Sequence, residues 1–346
     1  MHLANNIDLQ NGLLGGILLG ISSSAFMFLT GKVTGMSGIC EGTVSVKGES
    51  WNFSYIAGLC SAGALLSIYR PESFGDESAL STGTLLVAGL ITGFGTRLGG
   101  GCTSGHGLCG LSRRSPRSLA AVLTFMTTGA VTAYVSRLPE VAAILKAPTA
   151  ETIVPIVPGV AAAIGGLYVM LNFSSLTKKI GAILSPPPKS ADSHDIADGH
   201  MHLASFLSSL LFGLGLGVSG MCNPDRVTGF LDFSGPNGWD PSLAAVMGGG
   251  VAVNFLAFHW FKARNTPVAL HKSKTLDSVL NMGTVKCNML IDWKLLVGSA
   301  LFGMGWGLAG MCPGPAIVVS GAGAAAALKF VPSMVAGMIA KELLMG

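Results

Sequence analysis

Residues 211–222 read LFGLGLGVSGMC, and residues 301–312 read LFGMGWGLAGMC. In both stretches, glycines stand nine, seven and two positions before a cysteine. The stretch GFGTRLGGGC at residues 93–102 keeps this spacing, and TGKVTGMSGIC at residues 30–40 is a weaker fourth relative. We call the pattern the glycine ladder. Its recurrence indicates a structural repeat inside the chain rather than a bias in composition.

Each ladder predicts a helix that ends at membrane depth and is followed by a short half-helix. Pro313 directly follows Cys312, and Pro224 is the second residue after Cys222. A proline both stops one helix and suits the first turn of the next. Thr103 and Ser104 follow Cys102 and are good N-cap residues. Several helix N-termini would then point at the middle of the protein, where their free N–H groups and dipoles attract an anion.

The composition places the chain in a membrane. Of its 346 residues, 50% are hydrophobic and 11% charged, whereas soluble domains are about a quarter charged. No basic cluster interleaved with aromatic residues suggests a nucleic-acid partner. Runs of apolar residues long enough to cross about 30 Å of hydrocarbon fall at 12–30, 52–69, 80–97, 117–136, 152–172, 203–220, 242–261, 292–310 and 325–343.

We therefore predict an all-α polytopic membrane protein with about nine transmembrane helices and about four short re-entrant half-helices. Its two halves are residues 1–172 and 203–346, joined by a cytosolic linker at 173–202. The linker includes the polar run SPPPKSADSHDIADGHMH at 185–202, with His194, His200 and His202. Histidines in a polar linker fit solvated side chains better than ligands, so neither a metal nor a cofactor is predicted.

The basic residues predict the orientation. All but five of the 21 lysines and arginines fall on the side that carries residues 97–117, both linkers (173–202 and 262–291) and the C-terminus, although Lys32 and Arg97 lie near membrane depth. The positive-inside rule then places the N-terminus outside and the C-terminus in the cytosol of a plasma membrane, the inner membrane in a bacterium. The first residues lack a basic n-region, so the first apolar run is predicted to be a retained span.

Three of the seven cysteines are candidate substrate-binding or translocation residues. Cys102, Cys222 and Cys312 end the three ladders, each at the start of a predicted half-helix, and a thiol donates a weak hydrogen bond that suits a soft sulfur acceptor. The flanking candidates are Thr103, Ser104, Gly101, Gly220 and Gly310. Cys40, Cys60, Cys109 and Cys287 are interpreted as packing residues. His106 has two open interpretations, donation to an anion or packing against the next helix.

The segments GGGCTSGHGLCGLSRRSPRS (99–118), SGMCNPDRVTGFLD (219–232) and AGMCPGPAIV (309–318) resemble the YeeE/YedE family of sulfur-transport membrane proteins. The resemblance covers nearly the whole chain. It implies thiosulfate uptake through an hourglass-shaped fold whose pseudo-symmetric halves form an inverted repeat. It also implies that central cysteines pass the anion along by S–H hydrogen bonds. Cys102 and Cys312 match family cysteine motifs, whereas Cys222 stands where the family commonly has another residue and Cys40 is a doubtful counterpart of a further family cysteine.

These patterns and the resemblance predict a permease that lies in the lipid bilayer and carries thiosulfate or a closely related sulfur oxyanion. They do not predict an enzyme. A cytosolic sulfur carrier or sulfurtransferase is an additional partner that the resemblance leaves open. Two alternatives remain at this point. One is a membrane thiol or persulfide redox enzyme that uses Cys102, His106 and Cys109. The other is a docking subunit that receives a cytosolic sulfur carrier on the basic edge at 113–117.

Overall fold

The computed structural model describes residues 6–45, 48–75, 80–146, 193–234, 238–263, 267–268, 271–275 and 291–345. Its helices are α1 (Asn6–Thr30), α2 (Met36–Val44), α3 (Trp51–Tyr69), α4 (Thr82–Gly99), α5 (Thr103–Gly110, wound as a π-helix), α6 (Pro116–Ser136), α7 (Pro139–Lys146), α8 (Ser193–Val218), α9 (Pro224–Leu231), α10 (Ser242–Ala263), α11 (Trp293–Ala309), α12 (Pro313–Gly321) and α13 (Ala325–Met345). A single 3₁₀ turn covers Pro71–Ser73. The predicted all-α membrane fold is confirmed. It has one addition, a small antiparallel ribbon of β1 (Pro267–Val268) and β2 (His271–Thr275) in the segment predicted as a linker.

Long helices lie on eight of the nine predicted spans. Within the described residues, six stretches are long and apolar enough to cross a membrane, and α4 with α5 adds a seventh if this pair, bent by 44°, is one broken span. Helix α13 coincides with the predicted span at 325–343 but is not among those six. The predicted span at 152–172 lies outside the described residues. The protein therefore crosses the membrane several times, and a total of nine spans stays a prediction.

A four-fold internal repeat organises the helices. In each unit, a long helix breaks, a short helix of eight or nine residues follows, and a second long helix completes the unit. The units are α1–α2–α3, α4–α5–α6, α8–α9–α10 and α11–α12–α13. The weaker relative at residues 30–40 is thus a full structural copy of the other three, and each of the four units has one short helix after its break. That these short helices are re-entrant stays a prediction.

A glycine in the left-handed conformation makes the break in every unit. Gly31, Gly100, Gly220 and Gly310 have φ values of 70°, 74°, 75° and 65°, a region that other L-residues avoid because Cβ meets the following carbonyl oxygen. In three units this glycine is the last one of the ladder. In the first unit it is Gly31, five positions before α2, which explains why the register of the fourth ladder is unclear from sequence.

The units pack as two pairs, the first with the third and the second with the fourth. Helix α1 packs on α8 and α10, and α3 packs on α8. In the same way, α4 packs on α11 and α13, and α6 packs on α11. Each predicted half of the chain therefore contributes one unit to each pair, so the two halves interlock. A division into separate halves stays a prediction.

The first helices of paired units run antiparallel. Ser22 Oγ on α1 donates to the backbone oxygen of Ser208 on α8 at 2.6 Å, while Gly15 lies against Ser219, further along the chain at the end of α8. In the other pair, Gly95 of α4 lies against Phe302 of α11. Units of one pair are thus inverted relative to each other, the arrangement that broken-helix transporters share.

Glycines inside and outside the ladders bring the paired helices into contact. A Cβ added to Gly307 would overlap the backbone oxygen of Gly129 on α6, and a Cβ added to Gly305 would overlap Thr92 Oγ1 on α4. Gly16 of α1 approaches the backbone oxygen of Val246 on α10 just as closely. Small residues let helices pack closely where no hydrophobic effect drives them together, so many glycines of this chain serve helix packing.

Helix α8 starts inside the segment predicted as a linker. Its first turn begins at Ser193, and His202 docks it on α3 through both ring nitrogens. Nδ1 lies 2.7 Å from Ser54 Oγ and Nε2 lies 3.2 Å from Ser50 Oγ. Residues 193–202 of the segment predicted as a linker are therefore helical, and the bounds of the linker stay a prediction. The linker residues before 193 lie outside the described part.

Candidate functional site

The N-termini of the four short helices meet in the buried interior. Met36, the first residue of α2, donates its backbone N–H to Ser104 Oγ of α5 at 3.0 Å. Thr103, the first residue of α5, donates its hydroxyl to Cys312 Sγ, the residue before α12, at 3.6 Å. Three helix starts are thus joined by side-chain hydrogen bonds.

The start of α9 joins them through close backbone packing. A Cβ on Gly310 would lie 2.6 Å from the backbone oxygen of Pro224, the first residue of α9. Gly314 of α12 similarly approaches the side chain of Met36, whose Cγ would lie 3.0 Å from a Cβ added to this glycine. We call these joined starts the N-terminal ring, which consists of Met36, Thr103–Ser104, Pro224 and Cys312–Gly314.

The ring leaves backbone donors available at α5. Cys102 and Cys312 hold the N-cap positions of α5 and α12, and neither side chain caps its own helix. The first N–H groups of a helix have no partner within the helix. In α12, Pro313 and Pro315 carry no N–H, so α5 is the richer source of donors. By contrast, Asn223 caps α9 by accepting from the Asp225 N–H at 2.9 Å.

A first cavity of about 260 Å³ opens on one side of the ring. The thiols of Cys102 and Cys312 line it, together with the hydroxyls of Thr103 and Ser104. The larger apolar lining residues are Phe125, Phe212, Phe230, Trp306, Met36, Met126, Met221 and Met247. Within the described chain, none of the residues that line this cavity carries a charge.

A second, larger cavity of about 570 Å³ opens on the other side of the ring. Unlike the first cavity, it has charged residues in its walls, namely Lys32, Glu41, Glu49, Arg113 and Arg117. Gly35 and Gly101 line it, next to Met36 and Cys102, which line the first cavity. The two cavities are therefore separated by little more than the segments 35–36 and 101–106.

The structure distributes the predicted site residues between the two cavities. Cys102, Cys312, Thr103, Ser104 and Gly310 line the first cavity, whereas Gly101 and His106 line the second. Cys222 is buried next to Met221, which does line the first cavity, but the Cys222 side chain does not. Gly220 forms the break before α9. Cys102 and Cys312 are thus the two thiols that the fold brings together at one cavity.

His106 is held by two hydrogen bonds inside the protein. Its Nε2 lies 3.2 Å from the Gly99 carbonyl oxygen, and its Nδ1 lies 3.2 Å from Ser118 Oγ. A carbonyl only accepts, so Nε2 carries the proton and Nδ1 accepts from Ser118. This geometry favours the packing interpretation, in which His106 fastens the break at Gly99–Gly101 to α6.

Comparisons with known proteins agree with a transport role. A probable transporter of Xylella fastidiosa (strain Temecula1) is 41% identical over 132 residues, which cover 38% of this chain and 82% of the relative. Another from that strain is 39% identical over 121 residues, covering 35% of this chain and 90% of the relative. The chain belongs to the family of these probable transporters. Residues 200–346 also match the model of a family of unknown function (DUF6691), and no solved structure matches significantly.

The transporter also contains an ion pair that the sequence analysis did not identify. Arg97 Nη1, at the end of α4, lies 2.6 Å from Glu41 Oε2 on α2, with both side chains largely shielded from solvent. The only sequence signal was that Arg97 lies near membrane depth. Charges inside a membrane segment are costly unless paired, so the pair fixes α2 against α4 beside the ring.

The remaining cysteines of the transporter have packing contacts. Cys109 Sγ donates to the Thr34 backbone oxygen at 3.3 Å, and Cys60 Sγ lies 3.9 Å from the Ile317 oxygen. Cys40 is buried in the central core, and Cys287 lies outside the described residues. Among the described contacts, the side chains of Cys102, His106 and Cys109 hydrogen-bond to other residues and not to one another, so the thiol-enzyme alternative gains no support from this geometry.

Proposed function

We propose that the protein is a permease for thiosulfate or a closely related sulfur oxyanion, which passes between the two cavities through the N-terminal ring. The observation that carries this proposal is the first cavity. It is an uncharged chamber that ends at two thiols and at the N-termini of broken helices. A transport role follows from the family, and the solute is inferred from the chemistry of this chamber.

The ring favours an anion. Each helix N-terminus carries about half a positive charge and N–H groups without helical partners. No carboxylate lines the first cavity in the described structure, so nothing there opposes a negative ion. The low-polarity walls also weaken screening by water, which strengthens the attraction at the ring.

The sulfur atoms of the chamber favour a soft anion. Cys102 and Cys312 contribute thiols, and four methionines contribute polarizable thioethers. Thiosulfate differs from sulfate by a terminal sulfur, which accepts weak S–H hydrogen bonds and gains dispersion energy from polarizable neighbours. Several weak donor sites allow the ion to leave as well as to enter, which conduction requires.

The direction of uptake follows from the predicted orientation. The second cavity carries the basic residues Arg113 and Arg117, and the positive-inside rule places such residues in the cytosol. The first cavity would then receive the anion from the outer side of an inner or plasma membrane. A cytosolic sulfur carrier or sulfurtransferase would meet the anion at the second cavity.

Uptake of radiolabelled thiosulfate tests the proposal. The protein is expressed in cells without other sulfur permeases, and wild type is compared with Cys102→Ala and Cys312→Ala at matched membrane levels. We expect uptake to fall at least ten-fold in both variants, because each loses a thiol donor of the first cavity at the N-terminal ring. The matched control is Cys60→Ala, whose thiol lines neither cavity.

Each outcome has a definite meaning. Loss of uptake in the first two variants with normal uptake in Cys60→Ala supports a thiol-lined path. Normal uptake in Cys102→Ala would overturn the role of the thiols. Absence of thiosulfate uptake by the wild-type protein would overturn the choice of solute.

A further inference from the structure

Among the described residues, one cation of the second cavity has no acidic partner. Two acidic residues line this cavity, and each is already paired. Glu49 Oε1 lies 2.5 Å from Lys32 Nζ, and Glu41 is paired with Arg97. These two pairs leave the cavity with the guanidinium groups of Arg113 and Arg117.

Arg117 is also engaged. Its Nη1 lies 3.1 Å from Asp292 Oδ1. For Arg113, no carboxylate lies within ion-pair distance anywhere in the described chain. The one hydrogen bond of its side chain there runs from Nε to the Cys109 backbone oxygen at 3.2 Å. That bond anchors the side chain one turn from the end of α5 and leaves both terminal nitrogens as donors toward the cavity that Arg113 lines.

A half-buried guanidinium with its terminal nitrogens available suits an oxyanion. The fork of N–H groups matches two oxygens of one anion, and the group stays charged at any physiological pH. The hydroxyls of Ser115 and Ser118 line the same cavity. The glycines Gly100, Gly101 and Gly105 line it as well, so this cavity begins where the N-terminal ring ends.

We propose that Arg113 forms a second anion site, which binds divalent oxyanions through their oxygen atoms on the far side of the ring. This inference rests on the proposed function, because the site would receive the ion that leaves the thiols. The two sites recognise different parts of the solute. The ring contacts a soft sulfur atom, whereas Arg113 contacts oxygens and therefore binds sulfate as well as thiosulfate.

Sulfate tests this site, because it offers oxygen atoms to Arg113 and has no terminal sulfur for the thiols. Binding of radiolabelled sulfate is measured on the purified full-length protein in detergent at low ionic strength. We expect Arg113→Gln to weaken sulfate binding at least ten-fold, because glutamine removes both the positive charge and the fork of N–H donors. Arg113→Lys should fall between this variant and wild type, because lysine keeps the charge but loses the fork.

The neighbouring arginine supplies the matched control. Arg114 is exposed, lies over the Phe255 ring at 4.9 Å and does not line the second cavity. Arg114→Gln removes the same charge one residue away and should leave sulfate binding unchanged. Equal sulfate affinity in the Arg113 and Arg114 variants, or no sulfate binding by wild type, would overturn the inference. Failure of the proposed function would appear separately, as absence of thiosulfate uptake by wild type.

Discussion

The hydroxyl of Thr103 donates a hydrogen bond to the sulfur of Cys312 at 3.6 Å, across 209 positions of sequence. This bond connects the second and fourth units at the N-terminal ring. When the sulfur accepts this bond, the S–H of Cys312 remains free to donate elsewhere. Both residues line the first cavity, so the free S–H group can donate to an anion there.

Replacement of Thr103 by valine removes this donor with little change in size. We expect Thr103→Val to lower thiosulfate uptake about five-fold, since one hydrogen bond contributes about 1 kcal/mol. Thr103→Ser keeps the hydroxyl and should transport nearly as well as wild type. Uptake assays at matched expression compare the three proteins. Wild-type uptake by the valine variant would show that the bond does not orient the thiol.

Gly310 combines a left-handed backbone with a close neighbour. Gly310→Ala should lower the free energy of unfolding by about 1–2 kcal/mol, because alanine disfavours the left-handed conformation. Its Cβ would also lie 2.6 Å from the Pro224 backbone oxygen and crowd it. Gly323 has a similar φ of 83° but open space around it. Thermal unfolding in detergent should therefore show a larger loss for Gly310→Ala than for Gly323→Ala. Equal losses would mean that the ring accommodates the added methyl group.

The contact between α1 and α10 depends on Gly16. A methyl group there would overlap the Val246 oxygen, so Gly16→Ala should destabilise the fold by about 1–3 kcal/mol through overpacking. Gly248 lies on α10, and a Cβ added to it would meet nothing within 4 Å. Gly248→Ala should leave stability unchanged or raise it by about 0.5–1 kcal/mol. The comparison is a thermal melt of both variants, and a stable Gly16→Ala would contradict close packing of these helices.

Asp292 links the start of α11 to Arg117. Burial alone would raise the pKa of this carboxyl, but the hydrogen bond from the Leu295 N–H and the pairing with Arg117 outweigh it and lower the pKa. A lowered folded-state pKa gives stability that is present above the unfolded pKa of about 3.9 and is lost as the pH falls through the folded value. We therefore expect wild type to melt higher than Asp292→Ala at about pH 6.

The same pair predicts how that difference depends on acidity. The gap in melting temperature between wild type and Asp292→Ala should shrink as the pH falls below about 4. Asp292→Asn keeps a capping oxygen for α11 and should show a smaller gap than alanine at about pH 6. A gap that does not depend on pH would mean that the ionised carboxylate adds nothing to the fold.

Much of the architecture was predictable from the glycine ladders. Glycine at a fixed distance from Cys102, Cys222 and Cys312, with helix-starting residues after each, predicted broken helices with N-termini in the interior. This succeeds because the end of a helix is a local event, fixed by a left-handed glycine and by the residues that follow. The ladder in the first unit was the exception. Its break lies at Gly31, where a longer connection hides the pattern.

The sequence by itself determined that this chain crosses a membrane, where its long helices lie, and that Cys102 and Cys312 begin short helices. Only the tertiary structure decided that these two thiols share one cavity, that hydrogen bonds to Gly99 and Ser118 hold His106 in a packing role, and that Arg113 has no acidic partner among the described residues. The physical reason is that helix breaks depend on neighbours along the chain. Cavities and ion pairs depend instead on which inverted units pack together, and the spacing of residues within one unit does not encode that.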